Sequence, residues 1–101
     1  MSLKLSWFTV KLALLGVSEE YAPEVVRNLQ GELNTRSHLR NPQVFLETEA
    51  HRVVIKVDIE GRNPEGAARQ MAEELFEIPY GVLREIEGMH IEIIDAYPSP
   101  E

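Results

Sequence analysis

Between Arg52 and Glu60 the side chains alternate without a break. Val53, Ile55, Val57 and Ile59 fall on one side, with Val54, Lys56, Asp58 and Glu60 on the other. Only extended backbone separates side chains with period two, so this run is a strand with one face committed to a hydrophobic core. Trp7 to Leu15 follows the same rule. Phe8, Val10, Leu12 and Leu14 face the core, and Trp7, Thr9, Lys11 and Ala13 face away from it. A sheet with one apolar face must be covered, and two stripes at helical spacing are present to cover it.

The first stripe is Ala22, Val26, Leu29 and Leu33, preceded by Ser18-Glu19-Glu20 as a capping side chain and first-turn acids, with Pro23 near the start. This helix is predicted to end between Gly31 and Thr35. The second stripe is Ala68, Met71, Ala72, Leu75 and Phe76. It is opened by Asn63-Pro64-Glu65, a capping amide, a proline at the first helical position and an acid at the positive end of the dipole. Pro79 stops it. Thr35 to Pro42 lacks an apolar period and reads as a loop entering a strand at Val44 to Glu49, which a turn around Ala50 and His51 joins to the Arg52 strand. Tyr80 to Glu87 fits either a helical turn or a loop. Met89 to Tyr97 is the last strand, with Met89, Ile91 and Ile93 on one side and His90, Glu92, Ile94 and Ala96 on the other. Residues 1–5 and 98–101 are expected to fray.

The resulting order, β-α-β-β-α-β, resembles the ferredoxin-like arrangement. That likeness implies an α+β two-layer sandwich, a four-stranded antiparallel sheet with both helices on one face, formed by residues 1–101 as a single domain. It implies no activity, because the fold hosts many. An acylphosphatase-like chain would carry an arginine-bearing phosphate loop after the first strand, where Gly16-Val17-Ser18-Glu19-Glu20 stands here. A metallochaperone needs a CxxC, and this chain has no cysteine. An RNA-recognition module needs aromatic residues on a central strand, and Val53 to Glu60 has none.

Charge narrows the partners further. Seventeen acids against ten bases give a formal charge of −7, a field that repels nucleic acid and anionic membranes. Without cysteine there is no disulfide framework and no thiolate chemistry, a composition suited to the cytoplasm. The apolar run Leu3 to Val17 is interrupted by Lys11 and is shorter than the roughly 20 residues a spanning helix requires. No GxSxG, P-loop or GxGxxG is present, and no cofactor is expected. No two of the three histidines stand at i,i+3 or i,i+4. His90 with Glu92 shares a strand face but lacks a third ligand, so no metal site is expected.

The face turned from the helices holds the candidate site: Trp7, Lys11, Lys56, Asp58, His90 and Glu92, with Phe45, Glu47 and Glu49 on a neighbouring strand. It mixes aromatic, aliphatic and doubly signed charged groups, which points to a surface covered by a small ligand or a second copy of the chain. Arg36, His38 and Arg40 form the one basic stretch, suited to an anion. These features favour a homodimeric small-ligand-binding or regulatory module. One alternative is a small cofactor-free enzyme of the dimeric ferredoxin-like type, which needs His90 and Asp58 within hydrogen-bond reach of each other. Another is an adaptor docking through the acidic flank Glu73, Glu74, Glu77, Glu85 and Glu87.

Overall fold

The computed structural model describes residues 4–50, 52–78 and 90–100. The elements are β1 (Ser6–Leu15), α1 (Ala22–Asn34), β2 (Leu39–Glu47), β3 (Arg52–Gly61), α2 (Pro64–Glu77) and β4 (His90–Pro98). The strands form one sheet in the order β2-β3-β1-β4, and every neighbouring pair is antiparallel. This is the ferredoxin-like two-layer α+β sandwich. The segment Tyr80 to Glu87, the strand start at Met89, the acids Glu85 and Glu87 and the turn residue His51 lie outside the described residues.

The alternation sorts the sheet as expected. Val10, Leu12, Leu14, Val53, Ile55, Val57 and Ile59 sink into one core cluster with Leu29, Leu33, Met71 and Leu75 from the helices. On α2, the Asn63 side chain accepts the Gly66 N–H at 2.6 Å with Pro64 in the first turn. Gly61, just before it, lies tight against the helix. A Cβ there would sit 3.1 Å from that of Ala67, so the helix can close directly onto the end of β3.

Five details differ from the pattern. The buried stripe of α1 runs through Val25 rather than Val26, which is half-buried. Ser18 does not cap that helix; its carbonyl closes a preceding turn by accepting from Tyr21 and Ala22 at 3.1 and 3.0 Å. In α2 Ala67 joins Ala68, Met71 and Leu75 of the expected stripe in the core, while Phe76 is 68% exposed.

The fourth difference is β2, which begins at Leu39 and runs through Pro42. Its register shifts between Arg40 and Gln43, where Asn41 takes φ 52. A proline is tolerated here because β2 is an edge strand and the proline sits at a bulge. The Gln30 side chain of α1 repairs the ladder by donating to the Pro42 carbonyl at 2.8 Å and accepting the Val44 N–H at 2.9 Å.

Last, β4 carries an irregularity. Lys11 pairs with Asp95 but Leu12 pairs with Ile93, so Ile94 is an extra residue. The slip reverses the faces beyond it. Ala96 packs against the core, and Asp95 and Tyr97 share the outer face with Thr9 and Lys11.

Candidate functional site

The sheet face turned from α1 and α2 is a grid of cross-strand rows, in which Ala13 and Val54 are fully buried and Thr9 nearly so. One row reads Arg40, Asp58, Thr9, Tyr97, and the next reads Gln43, Lys56, Lys11, Asp95. A third holds Phe45, Val54, Ala13 and Glu92. Trp7 lies beyond the first row, opposite Glu60.

Within this grid the polar groups are organised. The Thr9 hydroxyl donates to Asp58 Oδ1 at 2.7 Å, and the Asn41 amide donates to Asp58 Oδ2 at 3.1 Å. Thr9 is only 2% exposed despite facing away from the helices. The chain beyond β4 contributes to that burial, since Ser99 Oγ lies 3.0 Å from the Thr9 hydroxyl and the Ser99 N–H donates to the Trp7 carbonyl at 3.0 Å. The Arg40 guanidinium stacks 3.7 Å from the centroid of the Trp7 ring.

Two clefts open between these groups. One, of about 270 Å³, is lined by Thr9, Asn41, Gln43, Lys56, Asp58 and Tyr97. The other, of about 710 Å³, is bounded by Leu5, Trp7, Arg40 and Ser99. Pro100 borders both, so the end of the described chain forms the wall between them.

Of the residues singled out from sequence, Trp7, Lys11, Lys56 and Asp58 gather in these adjoining rows. His90 and Glu92 share the face but not the place. Asp58 pairs with Thr9, whereas His90 pairs with Leu15, six residues further along β1 and so about 20 Å away. The hydrogen-bonded His90–Asp58 pair needed for the enzymatic alternative is not formed within the chain.

The basic stretch is also divided. Arg36 Nη1 and His38 Nε2 both reach the Glu74 carboxylate, at 3.3 and 2.8 Å, while Arg40 turns to Trp7 on the opposite side of the sheet. Glu74 itself is not part of a solvated acidic flank, because its side chain is only 12% exposed and ties α2 to the chain before β2. A pattern of single residues does not show such a clasp, whose partners are 36 and 38 positions apart.

Asn41, Gln43 and Tyr97 are cleft residues that periodicity missed. The first two sit at the β2 bulge, and Tyr97 reaches this face only through the β4 slip. No signal in the sequence marks either irregularity apart from Pro42. Among the described residues no cluster of three or more His, Asp or Glu side chains is placed to hold a metal ion, and no helix is long and apolar enough to cross a membrane. Comparisons with protein-family models, with curated proteins and with solved structures gave no match.

Proposed function

We propose that the chain is a small-ligand-binding or regulatory module that works through the sheet face turned from α1 and α2, at the cleft between Asp58, Lys56 and Tyr97. One observation carries this reading. Both oxygens of Asp58 are fixed by Thr9 and Asn41 beside an ammonium, Lys56, that has no carboxylate within 4 Å among the described residues. Oriented polar groups at the floor of a cleft bind a ligand without first having to be ordered.

Trp7 is the chain's one tryptophan and borders the adjoining cleft, so its emission is a reporter placed at the site. A library of small molecules screened by Trp7 emission and melting temperature is expected to give compounds that change both. Asp58→Ala is expected to abolish those changes in a protein that stays folded. A library in which no compound moves either signal contradicts the reading.

Self-association through the same face is the second reading. It is favoured by Phe45 and Tyr97, which are 40% and 37% exposed there. Light scattering of the wild type and of Phe45→Asp separates the two readings, because a dimer held by this face becomes monomeric in the variant.

A further inference from the structure

Resting on the binding module proposed above, we infer that its ligand carries a small oxyanion, a carboxylate or a phosphate, held between Lys11 and Lys56. These two lysines are direct partners across the β1–β3 pair. Cβ atoms in such pairs lie about 5 Å apart, and like charges so placed repel. The arrangement has a cost, and the chain has ample acid with which to relieve it, given 17 acidic residues against 10 basic ones.

Relief is absent. Asp95 is the register partner of Lys11 on its other side, and Asp58 stands two residues from Lys56 on the same face, yet neither comes within 4 Å of an ammonium. Asp58 is instead committed to Thr9 and Asn41. Arg52 shows the contrast on this sheet, since it is paired with Glu47 at 3.1 Å.

The rest of the neighbourhood can donate. Gln43 is the register partner of Lys56, and Tyr97 lines the same cleft. An amide N–H₂, a phenol O–H and two ammonium groups are the donors that a carboxylate or phosphate accepts from. Lysine suits a ligand of either shape, because it binds as a point charge rather than as a planar fork.

Calorimetric titration of the whole chain with sodium phosphate and, separately, with sodium succinate tests this, with sodium chloride at matched ionic strength as the control. At least one of the two anions is expected to bind saturably, and which one does so distinguishes phosphate from carboxylate. Lys11→Met and Lys56→Met are each expected to weaken binding about ten-fold, with Lys56→Arg retaining it. Without anion, both methionine variants are expected to melt no lower than the wild type, because each removes the repulsion. Equal affinity in the wild type and both methionine variants overturns the inference, as does heat reproduced by chloride. If an uncharged molecule binds at Asp58 while neither anion binds, the oxyanion assignment falls and the binding site stands. If no small molecule of any charge binds, both fall.

Discussion

The guanidinium carbon of Arg40 lies over the indole of Trp7, 3.7 Å from the ring centroid, although the two residues belong to strands separated by β3. The stack reaches across β3 on the side of the sheet turned from α1 and α2. It borders the cleft of about 710 Å³ and places the chain's single tryptophan under a cation.

Removing that cation has a defined consequence. Arg40→Ala is expected to cost about 0.5–1 kcal/mol in urea unfolding, the range of a cation–π contact at a solvent-facing site. It is also expected to raise acrylamide quenching of Trp7. Unchanged quenching would show that Arg40 does not shield the ring in solution.

Gln30 replaces a stretch of missing strand ladder, and its removal strands two backbone groups. In Gln30→Ala the Val44 N–H and the Pro42 carbonyl lose their partner, at a residue, Val44, that is only 9% exposed. Leaving a buried donor unpaired costs about 1–3 kcal/mol, and the urea midpoint is expected to fall accordingly. Hydrogen exchange at the Val44 amide is expected to speed up more than at Val53 in the sheet interior. Uniform acceleration would mean that the bond is not local in effect.

The Glu74 clasp joins α2 to the chain that leads into β2. Glu74→Ala releases Arg36 and His38 together, and Arg36 Nε is already buried without a partner. We expect a loss of roughly 1 kcal/mol, small because Arg36 and His38 are partly solvated. Arg36→Ala combined with Glu74→Ala is expected to cost less than the sum of the two singles, which a double-mutant cycle reads directly. Strict additivity would remove the interaction.

The Asn63 cap of α2 is the local feature most readable from sequence. Asn63→Ala removes the acceptor of the Gly66 N–H and is expected to cost about 1 kcal/mol, with Asn63→Ser restoring most of it. The urea midpoints of the two variants check this.

What the sequence disclosed follows a physical divide. Period-two alternation in β1 and β3 and the Asn63-Pro64 signal depend on neighbours within a few residues, so they survive in a linear reading, and the fold class followed from them. The start of β2 did not, because Pro42 reads as a strand breaker until Gln30, 12 positions earlier, is seen to satisfy the backbone around it. The outward turn of Tyr97 depends on one extra residue in β4, and a slip of one residue reverses every face beyond it. Trp7, Lys11, Lys56 and Asp58 were placed together by strand parity alone. His90 and Glu92 have that parity too, but parity says nothing of distance along a strand.

We propose that the chain binds its ligand on the sheet face turned from α1 and α2, at Asp58 and Lys56. Mapping amide chemical shifts on addition of the small molecule that most raises the melting temperature tests it directly. The largest changes are expected at Thr9, Lys56, Asp58 and Tyr97. Changes centred instead on Ala68, Ala72, Ile93 and Ala96, which line a groove of about 960 Å³ between α2 and β4, would contradict it.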